Sequence, residues 1–236
     1  MICFNLNCLK NDMKRITILI FVLFATTFTH AQSYEQMCDS LEYATNMLRK
    51  YPENIDLRLR KASWNIMLEQ WEYAQEEYDR ILFKDSTNVA ALYYRAYTNE
   101  KLHRYKFARK DYENLLRIVP GNFNGLLGLA LLNQKDMHYT EAMNNINQLV
   151  QLYPDSAVCY AARAGMEVER KMYELADYDF TEAIKRDKHN SDYYISRADV
   201  RITLGNVKQA REDLDMAVKL GIPRPALAEM YARCKE

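Results

Sequence analysis

The chain has little glycine and little proline, six and five residues in 236. Turn-rich sheet architectures use both freely, so their scarcity argues for helices. It has no excess of charge of either sign, since 32 Lys and Arg balance 32 Asp and Glu. That balance gives no general attraction to nucleic acid or to acidic membranes. The cysteines beyond residue 31 are Cys38, Cys159 and Cys234, odd in number and far apart. They imply no disulfide framework, and packing explains Cys159. His30, His103, His138 and His189 fall at no metal-ligand spacing. His103 and His138 read as turn residues that could approach each other. There is no Gly-rich phosphate loop and no nucleophile elbow. Acidic clusters such as Asp177/Asp179 and Glu212/Asp213/Asp215 lie in helical segments, where solvated or paired faces explain them. General acid-base chemistry needs two groups held around a pocket, and no such pair stands out. No catalytic, cofactor-binding or metal residue is assigned, and an enzyme is not expected.

Long hydrophobic runs are also missing. The longest, Ile16 to Phe28, has 13 mainly apolar residues, against the roughly 20 needed to cross a bilayer. Met13-Lys14-Arg15 precedes it and Thr29-His30-Ala31 follows. This is the pattern of a secretory signal peptide over residues 1–31, with Met13 a candidate start. Its removal would leave no membrane span, whereas its retention would leave an anchor. The expected location is outside the cytoplasm, in a bacterial periplasm or, as the alternative, secreted.

What the chain does have is repetition. Ala62 recurs as Ala96, Ala130, Ala164 and Ala198, and twelve residues after each come Ala74, Ala108, Ala142, Ala176 and Ala210. Both series step by 34 residues without an insertion. Trp71, Tyr105, Tyr139 and Tyr173 stand three residues before the second alanines, with Val207 in the last copy. Tyr78, Tyr112, Ile146, Phe180 and Leu214 stand four residues after them. A fixed period of this size marks a stacked array of supersecondary units. Each copy reads as two helices, in the first copy near Ile55–Leu68 and Glu72–Phe83. Short alanines let two helices approach closely, and larger apolar residues fill the space between pairs. Residues 54–222 hold the five copies. Residues 32–53 read as a half repeat closing the N-terminal end, and 223–236 as a C-terminal capping helix.

The spacing, the two alanine series, the aromatic before the second alanine and the phased Pro52, Pro120 and Pro154 resemble the tetratricopeptide repeat (TPR). The resemblance implies an all-α fold, a right-handed superhelical solenoid of antiparallel helix pairs. Departures affect detail. The family's first-helix glycine is alanine in every copy, and its Trp-Leu pair becomes Leu92/Arg95, Tyr160/Arg163 and Tyr194/Arg197.

One pattern lies outside that consensus. The residue before each first alanine is Lys61, Arg95, Leu129, Arg163 or Arg197, and sixteen residues later stand Glu77, Asp111, Asn145, Asp179 and Asp213. Wherever the first is basic the second is acidic, and in the third copy both are uncharged. A helical hairpin brings these positions opposite each other. Structural ion pairs Lys61–Glu77, Arg95–Asp111, Arg163–Asp179 and Arg197–Asp213 are therefore expected. The bland alternative is surface charge matched by chance.

The resemblance also implies that first helices line a concave groove that takes an extended peptide or a partner helix. Its expected residues are Leu59, Ser63, Ile66, Tyr93, Tyr97, Leu127, Leu131, Val168, Ile195 and Ile202. They are largely apolar, and contiguous apolar surface marks contact sites. Close curvature could instead pack them on neighbouring repeats. The expected function is a non-catalytic adaptor or scaffold holding a protein or peptide partner, with no nucleic acid and no cofactor. The alternative is a structural subunit of a cell-envelope complex, joined through its convex face or its ends.

Overall fold

Every alanine of both series is buried, as expected where two helices cross at close range. The computed structural model describes residues 34–234. The signal-like segment 1–31 lies outside the described residues. The helices are α1 (34–50), α2 (Ile55–Met67), α3 (Trp71–Lys84), α4 (Val89–Lys101), α5 (Tyr105–Ile118) and α6 (Phe123–Lys135). They continue as α7 (Tyr139–Leu152), α8 (Ala157–Glu169), α9 (Tyr173–Arg186), α10 (Ser191–Thr203), α11 (Val207–Lys219) and the short α12 (Ala228–Arg233). No strand occurs among the described residues, and no described helix is long and apolar enough to cross a membrane.

Local chemistry sets the helix ends. Asn54, Asn88 and Asn122 accept the backbone N–H of Leu57, Ala91 and Gly125, three residues on. Such caps satisfy donors that have no partner inside the helix, each worth about 1 kcal/mol. Between the two helices of a copy the chain reverses through one left-handed residue: Glu69, His103, Met137 and Lys171 near φ +57 to +60, and Gly205 at +78. The N–H groups of Gln70, His138, Met172 and Asn206 then reach back to carbonyls of Asn65, Asn133, Glu167 and Arg201. These bonds close the helix C-termini and hold non-glycine residues in a conformation glycine would adopt more easily. The tail, expected as one capping helix, does not begin as an α-helix. Pro223 and Pro225 offer no N–H, and the chain enters through a 3₁₀ turn, Arg224–Leu227, before α12.

The chain divides after Leu102 into two compact units. In the first, α2 packs on α3 and α4 leans on α3, around buried Tyr78, Ile81, Ala91 and Leu92. In the second, α6/α7, α8/α9 and α10/α11 are packed pairs, and each second helix also contacts the first helix after it. One core cluster there is built on Leu126, Ile146, Leu149 and Cys159, and another on Ile184, Leu214 and Leu227.

Large residues in one helix are matched by small ones in the next. Gly128 on α6 lies where an added Cβ would come within 2.6 Å of the Tyr112 ring. That ring is buried, at 2% exposure, and has little room to move. Gly128→Ala gains about 1 kcal/mol of helix preference, but overpacking costs roughly 1–3 kcal/mol. A net loss of stability in a denaturant melt is expected, opposite in sign to the usual Gly→Ala change in a helix.

Candidate functional site

In three copies, the first, fourth and fifth, the basic and acidic positions meet inside the hairpin. Lys61 Nζ lies 2.7 Å from Glu77, and Arg58, one turn earlier, bonds the other oxygen at 2.7 Å. Burial pushes the Glu77 carboxyl up, but the bonds from Lys61 and Arg58 outweigh it and hold it below its ordinary range. Arg163 grips Asp179 with two prongs, Nε at 2.5 Å and Nη2 at 2.8 Å. Arg197 does the same to Asp213, at 3.0 and 2.6 Å. Arg95 lies in the first unit, where it donates to Asp79 at 2.7 Å; Asp111 belongs to the second unit. In the third copy, uncharged Asn145 accepts from Asn133 instead.

The arginines also do something the spacing left unread. Arg163 Nη1 donates to Asn147 and Arg197 Nη1 to Thr181, each sixteen residues back in the preceding second helix. Arg95 reaches Asp79 over the same interval. One guanidinium thus ties its own hairpin shut and ties it to the previous one, which a point charge such as lysine does less well.

The expected partner-contact residues are all on first helices, and none is fully buried. Leu59, Ile66, Tyr93, Tyr97, Leu127, Val168, Ile195 and Ile202 are half-buried, and Ser63 and Leu131 are exposed. Tyr97 is partly spoken for, because its ring meets Trp71 edge-on at 6.1 Å and Lys101 lies over both rings. Leu131 is 45% exposed. In the first unit, Leu59 and Ser63 border a cleft of about 670 Å³ between α1 and α2. His103 bonds the Tyr105 hydroxyl and His138 sits 3.4 Å from Asp136. Among the described residues no group of His, Cys, Asp and Glu has a metal-holding arrangement.

The chain is similar to a TPR protein from Parabacteroides merdae, with a TM-score of 0.66 at 21% identity over 85% of this chain and 78% of that one. PilF of Pseudomonas aeruginosa gives a TM-score of 0.64 at 17% identity, over 72% and 77%. YrrB, a TPR protein with an unusual peptide-binding site, gives 0.56 at 20% identity, over 77% and 94%. The chain has the tetratricopeptide-repeat fold. No protein-family model and no curated protein matches the sequence.

Within the TPR copies one more in-phase series is polar and buried. Three residues after the first alanines stand Asn65, Asn99, Asn133, Glu167 and Arg201. Four of these five are at most 5% exposed. Arg109 on α5 donates to Asn133, and Asp177 on α9 accepts from Arg201, in each case across 24 residues. Arg201 bonds Asp213 as well. The residue 24 before Glu167 is Met143, which offers no such bond. Glu167 Oε2 is buried without a hydrogen-bond partner. Burial first, then the neighbouring Asp179 charge, push its carboxyl up to about 7, against a pull from Arg163. The in-phase positions were legible; that they point inward was not.

Proposed function

We propose that the chain is a non-catalytic TPR scaffold that holds a segment of a partner protein against the faces of its first helices. The observation that carries this is the partial exposure of apolar side chains at in-phase positions of first helices, Leu59 and Tyr93 in the first unit and Leu127 and Ile195 in the second. Folding buries the alanines beside them completely and leaves these partly in water, where covering them on binding would be favourable. The likeness to a TPR protein with a peptide-binding site supports the same reading. The signal-like segment 1–31 supports an exported, periplasmic setting, and N-terminal sequencing of the cellular protein should begin at Gln32.

A photoreactive residue in place of Leu131 tests the contact face. It should capture a discrete protein in cells. Leu131→Arg elsewhere in the same design should weaken binding of that protein, while stability changes by no more than about 0.5 kcal/mol, as for an exposed site. No captured protein, or a large fall in melting temperature, would count against the reading and favour side chains that serve packing alone.

A further inference from the structure

Two helices carry a face that the other hairpins use and that these leave open. α1 is in phase with the second helices, since Ser40 and Ala44 stand 34 residues before Ala74 and Tyr78. α12 is in phase with the first helices, since Tyr231 and Ala232 stand 34 residues after Arg197 and Ala198. Its docking repeats theirs. The Tyr231 hydroxyl donates to Asp215, sixteen residues back, in the place where Arg163 and Arg197 reach Asn147 and Thr181. Leu227 and Cys234 are buried in the cluster that holds Leu214 and Ala217. Among the described residues nothing covers its opposite face, where a first helix receives its second. Ala228 and Ala232 are exposed and border, with Arg211 and Arg224, a cleft of about 410 Å³.

The other end is the counterpart. No described helix precedes α1. On the side where a first helix would lie, Ser40, Tyr43 and Ala44 of α1 and Trp64 and Met67 of α2 border the cleft of about 670 Å³. Tyr43 and Met67 are 63% and 59% exposed. Charge favours the contact on the α1 side, although Arg60 of α2 also borders the receiving cleft. The cleft beside α12 carries Arg211 and Arg224, while α1 exposes Glu35, Asp39 and Glu42.

We infer that a second copy of this chain fills both openings at once: α12 of one copy enters the α1/α2 cleft of the next, whose α1 covers α12 in return. One contact completes one hairpin from two chains. Ala232 would meet Ser40 as Ala198 meets Ala210 within a copy, small against small. The interface is head-to-tail, so a dimer keeps one free end of each kind and association continues from copy to copy. The receiving cleft shares Leu59 and Ser63 with the proposed partner face, whereas Met67 and Ala232, substituted below, are not among that face's residues.

Sedimentation of the full chain should show mean mass rising with concentration. Ala232→Glu spoils only the donating end, with bulk and with charge that opposes the acids of α1. Met67→Arg spoils only the receiving end. Both sites are exposed, so melting curves should stay close to the unsubstituted chain. Each variant alone should associate about tenfold or more weakly. Mixed in equal amounts, they should form a dimer and nothing larger, because one intact end of each kind remains. A chain that is monomeric at every concentration overturns the inference, as does a mixture that stays monomeric. Variants that assemble like the unsubstituted chain overturn it as well.

Discussion

Arg163→Ala should lower the melting temperature by on the order of 10 °C. The Asp179 side chain is 2% exposed and that of Arg163 20%. Their two-pronged bond is joined by a third, from Nη1 to Asn147 at 3.0 Å. Removing one partner of a buried pair leaves a charge without compensation, at a cost of roughly 3–5 kcal/mol. A chain of this size loses about 2–4 °C per kcal/mol. The environment sharpens the effect, because Glu167 is already pushed up by the charge of Asp179 and pulled down by Arg163. Without the guanidinium the buried Asp179 charge has lost its partner, and Glu167 is pushed up further. Arg163→Lys should recover only part of the loss, since an ammonium keeps the charge and loses the fork. Thermal melts of the two single variants and the Arg163→Ala/Asp179→Ala double variant give the coupling directly. Coupling under about 1 kcal/mol, the size seen for exposed pairs, would mean that the pair is ornamental.

Glu167→Gln should stabilise the chain above neutral pH and remove a pH dependence that the unsubstituted chain shows. The carboxyl's ordinary value is 4.5, and in the folded chain it is pushed up to about 7. Between those values the folded chain holds a proton that the unfolded chain has released. The associated stability is complete below about pH 4.5 and is lost as pH rises through about 7. The amount at stake is about 3 kcal/mol. Glutamine keeps the shape and carries no charge, so its melting temperature should be nearly level between about pH 5 and 8. Glu77 acts in a separate window with the opposite sign. Its carboxyl is held below 4.5, so its contribution is lost only as pH falls below that value. A melting temperature of the unsubstituted chain that does not fall between pH 5 and 8 would show that Glu167 ionises freely.

The two predictions turn on residues that were unequally visible in the sequence. Arg163 and Asp179 could be paired without coordinates because five copies act as five trials. Where Leu129 replaces the base, Asn145 replaces the acid. A fixed offset of sixteen residues is enough to see that. The return bond to Asn147 was not seen, because its acceptors are Asp79, Asn147 and Thr181, which share a hydrogen-bonding role and no charge. The caps Asn54, Asn88, Asn122 and Asn190 are also in phase, with Ser156 at the remaining position. Their signal was available, since asparagine ahead of an apolar helix is a start marker. Glu167 is a different case. Its phase placed it beside Asn65 and Asn133, but whether a helical position faces the core depends on which neighbour covers it. Tyr97 shows the same limit from outside. It was assigned to a partner face, and Trp71 and Lys101 already cover part of its ring.

The sequence by itself determined the helices, their pairing and the stacking of the pairs. Each of these follows from a local period, and a repeat presents that period many times with the errors averaged out. Tertiary structure alone decided which polar groups are sealed from water, which arginine ties two hairpins together, and which faces of α1 and α12 stay open. Those properties are set by what lies across an interface, and the residues on its two sides carry no mark in the chain that says how closely they will meet.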